Sequence, residues 1–136
     1  MINLYIFSNK SRGGLYGVGT YIRELITALR SKSNSIHIHV VHILCDQLQI
    51  EKKEVKDVSY WYFPEPISKE WNLLDQEQRK VYSRNIVYLL RNYIQDQKNL
   101  VFHLNSYRDK SLALELKIAF DCKVITVTHF SEWSYS

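Results

Sequence analysis

"INLYIFSNKSRGGLYGVGTYIRELITALRSKSNSIHIHVVHIL", residues 2–44, reads as a strand, a turn, a helix and a second strand in one stretch. Residues 2–7 are a short β-branched and aromatic run, the pattern of a first strand, and the turn-rich "SNKSRGG" ends it. From Val18 onward the apolar positions Val18, Ile22, Leu25, Ile26 and Leu29 step by four, three, one and three, which is one face of a helix. "SKSN" breaks that pattern. "IHIHVVHIL" at 36–44 is a near-continuous strand signal of the kind that suits a strand covered on both faces, as in a parallel sheet.

The rest of the chain repeats the alternation. A polar stretch leads to "VSYWYF" (58–63), a third strand halted by "PEP". Asp75 precedes Gln78 in capping-box order and opens a helix predicted to run to about residue 96, with Tyr82, Ile86, Leu89, Leu90 and Tyr93 at helical spacing. "LVFHLN" (100–105) is a fourth strand, Ser111 is the expected cap of a short helix "LALELKIAF", and "CKVITVTH" (122–129) is a fifth strand. Strands alternating with helices predict an α/β domain with a mainly parallel sheet. Ligands of such sheets bind beyond the carboxyl ends of the strands. That rim should carry "SNKSRGGLYGVG", "NSYRD" and "HFSEW", the segments after the first, fourth and fifth strands.

Composition sets outer limits. The 136 residues are 46% hydrophobic and 24% charged, enough for one domain with a real core and not the profile of a disordered chain. A net charge of +4 admits anionic partners without choosing among them. No aromatic-basic interleaving or reading-helix motif supports nucleic-acid binding. Cys45 and Cys122 fit no metal or redox spacing and read as small buried hydrophobes in a reducing compartment. The apolar N-terminal run lacks the basic start of a signal peptide, and no run approaches the ~20 residues of a membrane span.

All four glycines of the chain, Gly13, Gly14, Gly17 and Gly19, fall in seven residues that feed a helix. A third glycine is missing from a G-x-G-x-x-G reading, where Ile22 stands, and the P-loop lysine is absent, so neither nucleotide fingerprint is met. What remains is a glycine-rich turn at a helix N-terminus, a place suited to a phosphate, with Lys10 and Arg12 as added charge. A simple strand-to-helix turn that binds nothing stands beside this reading.

"YGVGTYIRELITAL" resembles the first loop and helix of GT-B glycosyltransferases, in particular the retaining family 4: Gly17, Gly19, Tyr21, Glu24, Leu25, Ala28 and Leu29 match, while Tyr16 stands where a glycine is usual. "NLVFHLNSYRD" is similar to that family's strand ending in H-x-H, with His103 in the first position and Asn105 replacing the second histidine. "CKVITVTHF" is similar to its "V-x-T-x-H-D", with Thr128 and His129 matching and Phe130 departing. The resemblance implies a Rossmann-like three-layer domain spanning 1–136, the acceptor-side N-terminal part of a transferase whose donor-binding C-terminal domain is absent. It implies a nucleotide-sugar donor whose diphosphate lies near Gly14, Gly17 and Gly19. It implies a glycan or lipid-linked acceptor met by His103, Asn105 and His129. No general base, metal or cofactor is expected. The chain alone should be inactive, and a cytoplasmic place follows, with peripheral contact at the inner face of the membrane left open.

Other features carry plainer readings. His37 and His39 share one face of their strand, a metal-ligand spacing, but no Asp, Cys or Glu accompanies them and partly buried imidazoles are the better expectation. Tyr60, Trp61, Tyr62, Phe63 and Trp71 could stack on a sugar, yet strand alternation sends at least half of such a run into the core. Trp133 and Tyr135 could border an acceptor site. The basic residues Arg79, Lys80, Arg84 and Arg91 read as a solvated helix face rather than a membrane contact. The alternative function is a stand-alone, non-catalytic α/β module that binds an anionic ligand at the same rim.

Overall fold

The periodicity of residues 2–44 folds as β1 (Ile2–Asn9), α1 (Gly17–Lys32) and β2 (Ile36–Cys45). A hairpin of β3 (Glu51–Val55) and β4 (Val58–Pro64) follows, then α2 (Gln76–Tyr93), β5 (Leu100–Leu104), α3 (Lys110–Phe120) and β6 (Lys123–Thr126). The structure is a computed structural model and describes residues 2–9, 17–32, 35–45, 49–64, 75–94, 98–104, 110–120 and 122–126. The strands form one six-stranded sheet of order β3-β4-β2-β1-β5-β6, in which β3 and β4 are antiparallel and the other pairs are parallel. From β1 the chain first builds outward through β2 and β4, then crosses back to lay β5 on the other side of β1. The fold is therefore the expected α/β, Rossmann-like three-layer domain.

Period-two alternation divides each central strand between two cores. On one face Leu4, Ile6, Ile38, Val40 and Val58 pack against Ile22 and Ile26 of α1, with Leu25 and Leu29 half-buried beside them. On the other, Tyr5, Phe7, Val41, Trp61, Phe63, Phe102 and Leu104 pack against α2 and α3 through Ile86, Val87, Leu90, Leu112, Leu116 and Phe120. Phe102 lies at the centre of this second core, with the rings of Tyr5, Phe7 and Phe120 at centroid distances of 5.5, 5.9 and 5.3 Å. Trp61 and Phe63 enter this core while Tyr60 and Tyr62 stay half-buried on the α1 face, as alternation requires. Cys45 is buried, Cys122 partly so, and both are free thiols.

The capping box of α2 is formed: the Gln78 amide donates to Asp75 Oδ1 at 2.8 Å, and the Asp75 amide donates to Gln78 Oε1 at 3.0 Å. The helix stops at Tyr93, with Ile94 as its C-cap, a little short of the expected end. Helix α3 starts at Lys110, so Ser111 lies inside its first turn and does not cap it. A cap residue must keep extended backbone angles, and Ser111 is already helical. Arg84 reaches from α2 to Glu115 of α3 at 3.2 Å.

Strand β3 was not expected, because all of its five residues are exposed and it carries no alternation. It is an edge strand guarded by charge. A two-residue turn at Lys56 and Asp57 joins it to β4, with φ of 50° and 66°, both in the left-handed region that two-residue hairpins require. Lys52 and Lys53 point to opposite faces and lay their ammonium groups over Trp61 and Tyr62, 4.8 and 5.7 Å from the ring centroids.

Candidate functional site

Strand order reverses between β1 and β5, since α1 carries the chain from β1 to one side and α2 returns it to the other. The carboxyl end of that pair is the topological switch point of the sheet, the place where open α/β sheets hold ligands. Three elements converge there. Helix α1, following β1, brings its N-terminus to that rim. The residues of β5 near its carboxyl end supply His103, and β6 lies beyond it.

The rim has a definite inner contact. Ile6 of β1, His103 of β5 and Ile125 of β6 lie side by side in register and so share the face covered by α1. Tyr21, in the second turn of α1, comes down onto this row: its Oη lies 3.4 Å from His103 Nε2, and the two rings stack at 6.0 Å between centroids and 25° between planes. His103 is 7% exposed and Tyr21 half-buried, whereas Ile125 is 39% exposed. The imidazole is thus held in place from the helix side while the sheet surface next to it stays open.

Gly17 and Gly19 sit in the first turn of α1 rather than in a loop before it, because the helix begins at Gly17. Their amides belong to the first four N–H groups of the helix, which have no partner within it. That first turn contains no acidic residue, while Arg30 and Lys32 occupy the last turn, so the positive end of the helix dipole is uncompensated by its own side chains. An incoming anion is the natural complement. Gly14, Lys10, Arg12, Asn105, Thr128 and His129 lie outside the described residues, as do Trp71, Trp133 and Tyr135. Of the sequence-predicted site residues, the structure brings Gly17, Gly19 and His103 to one rim. Tyr21 was read as a family match but not as a site residue. Its signal was an aromatic side chain one turn into a glycine-led helix, and its partner lies 82 residues away.

The histidines of β2 divide as alternation predicts. His42 stacks between Tyr60 and Tyr62 on the α1 face. His37 and His39 lie on the opposite face, 4.1 Å apart between ring centroids. Three of their four ring nitrogens are engaged: His37 Nε2 lies 3.2 Å from Ser59 Oγ, and both nitrogens of His39 are held, between Trp61 and Asn3. The Trp61 indole N–H donates to His39 Nδ1, so Nε2 carries the proton and donates to Asn3 Oδ1, each at 3.4 Å. Burial, first of all, and then the neighbouring His37 and Lys52, push the His39 pKa down to about 3, and the ring is neutral. Among the described residues no three His, Cys, Asp or Glu side chains gather as a metal centre would need, and no helix is long and apolar enough to cross a membrane.

No protein-family model matches the chain, and no curated protein matches it. Among solved structures it is similar to the apo structure of OtsA, with a TM-score of 0.58 and 10% sequence identity. The match covers 95% of this chain and 33% of that one, so the chain spans about a third of the length of the structure it resembles. At that identity the likeness is one of fold: nearly the whole chain adopts the α/β, GT-B-like arrangement found in one third of OtsA.

Proposed function

We propose that this chain is the acceptor-side, N-terminal domain of a cytoplasmic GT-B glycosyltransferase of the retaining family 4 type. It would move a sugar from a nucleotide-sugar donor to a glycan or lipid-linked acceptor, together with a second domain that holds most of the donor. The observation that carries the reading is the convergence of Gly17, Gly19 and His103 at the switch point, with Tyr21 fixing the imidazole. The GT-B-like fold shared with OtsA, itself a glycosyltransferase, supports it.

The chemistry assigned to this domain is positioning. The first-turn amides of α1 would face the donor diphosphate, and the two glycines let it approach the backbone closely. His103 would meet acceptor hydroxyls, its ring plane set by Tyr21. Retention needs no general base from this side, so orientation and charge stabilisation are its share of catalysis. Asn105 and His129 are proposed as further acceptor contacts, and Gly14 as part of the phosphate turn.

The test uses the product of the complete reading frame to which this chain belongs. Gly17→Val is expected to lower kcat/KM for sugar transfer about 100-fold, the scale of a misplaced reactant, with the fold retained. Full activity of that variant would overturn the phosphate assignment. If the complete product transfers no sugar while the chain binds a nucleoside diphosphate saturably, the stand-alone anion-binding module is the correct reading instead.

A further inference from the structure

The outer surface of α2 and α3 combines two features that a solvated helix layer does not need. The first is apolar exposure: Val81 and Tyr88 of α2 and Leu114 and Ile118 of α3 are 48 to 69% exposed. Each stands two positions from a buried residue of its own helix, about 200° around the axis, and so points away from the sheet. The two helices cover the same face of the sheet and are joined by Arg84 and Glu115 at 3.2 Å, an ion pair set between the Val81–Tyr88 stripe and the Leu114–Ile118 stripe. The second feature is charge. Helices α2 and α3 hold six Lys and Arg against two Glu, a net +4 that equals the excess of the whole chain, and the basic and acidic residues elsewhere cancel. The basic residues of α2 taken alone suit a solvated face. Packing α3 beside α2 is what gathers charge and apolar side chains on one layer.

That combination selects the occupant. A second copy would set one net-positive layer against another. A nucleic acid would use the cations and leave Val81, Leu114 and Ile118 facing phosphate and water. The core of a protein interface is depleted of charge, and there the Arg84–Glu115 pair, in the middle of the patch, would lose its water. The headgroup layer of an anionic bilayer avoids all three costs. It is hydrated and ionic, so the ion pair stays solvated. Its negative potential draws Lys and Arg. Tyrosines and aliphatic side chains settle just beneath it, at the boundary with the acyl chains. The contact lies in the plane of the membrane, since α2 and α3 bury their other faces on the sheet. We propose that the outer face of α2 and α3 docks on the surface of an anionic lipid bilayer, independently of the transferase reading.

The test is co-sedimentation of the 136-residue chain with vesicles of phosphatidylcholine, alone or mixed equally with phosphatidylglycerol, at about 0.1 M and about 0.5 M NaCl. The chain is expected to bind the anionic vesicles, less so at the higher salt, and to bind the neutral ones about tenfold more weakly. Leu114→Ser combined with Ile118→Ser should weaken binding to the anionic vesicles about tenfold, the effect of two half-buried aliphatic side chains. Lys117→Gln should weaken it about fivefold. These positions are exposed, and an unchanged circular dichroism spectrum checks the fold. Lys32→Gln makes the same change of charge at the end of α1, on the opposite face of the sheet, and should leave binding as it was. Absence of binding to anionic vesicles overturns the proposal. So does a serine pair that binds as the parent does, or a Lys32→Gln effect equal to that of Lys117→Gln. Tighter binding to a DNA duplex or to poly-glutamate than to anionic vesicles, or a dimer in lipid-free sedimentation that the serine pair dissolves, would assign the face to another occupant and overturn it too. Gly17→Val should leave vesicle binding unaltered, so failure here and failure of the transferase reading give different results.

Discussion

His39 is an imidazole whose proton is dictated by its neighbours. Trp61 can donate only to an unprotonated Nδ1, so charging the ring would break that bond inside the core. The folded-state pKa, about 3, lies below the unfolded value of 6.5. Its contribution to stability is therefore complete above pH 6.5 and is lost as the pH falls from there toward 3, because the unfolded chain takes up a proton that the folded one refuses. Urea denaturation across this range is expected to show the folding constant falling up to about tenfold per pH unit from this group. His39→Gln should flatten that part of the curve, and an unchanged slope would refute the assignment. At the carboxyl rim, Tyr21→Phe keeps the ring stack and removes the hydroxyl facing His103. It should cost about 1 kcal/mol in the same assay.

Among the elements, α2 and β3 illustrate opposite degrees of local encoding. The α2 start was readable because a capping box is a four-residue pattern, Asp75 to Gln78, that acts on its own backbone. Asp75→Ala should destabilise the domain by about 1 kcal/mol. Strand β3 had no such pattern. Its residues, "EKKEV", face solvent throughout, and its existence depends on the Lys56–Asp57 turn and on cation–π contacts to β4. Two non-glycine residues at positive φ leave room for improvement. Asp57→Gly is expected to stabilise the hairpin by about 1 kcal/mol, measurable as slower amide exchange across β3 and β4. Faster exchange would mean that the Asp57 side chain contributes more than its backbone angle costs.

For the molecule as a whole, the core facing α2 and α3 carries the tertiary organisation. Phe102 is fully buried and touches rings from β1 and α3, so it joins the central strands to the outer helix layer. Phe102→Ala should cost about 3 to 5 kcal/mol, a large share of the ~5 to 15 kcal/mol that holds a domain together. Calorimetry should show it as a lowered Tm with loss of cooperativity at 37 °C, and a drop below about 1 kcal/mol would place the core elsewhere.

The alternation of strands and helices, and with it the α/β class, was set by the chain alone, because periods of 2 and 3.6 are properties of residues close in sequence. The burial of Trp61 and Phe63 in the α2–α3 core while Tyr60 and Tyr62 lie half-buried on the α1 face, and the separation of His42 from His37 and His39, followed from the same alternation. Strand order did not. That β1 lies between β2 and β5 depends on pairings across roughly a hundred residues, which no local pattern states, and that order alone creates the switch point. Tyr21 and His103 became a pair, and His39 became neutral, only when segments far apart in the chain were brought within hydrogen-bonding distance. Local periodicity decides what each segment is. The packing of two cores around one sheet decides which segments meet, because the apolar area they bury together is available to neither alone.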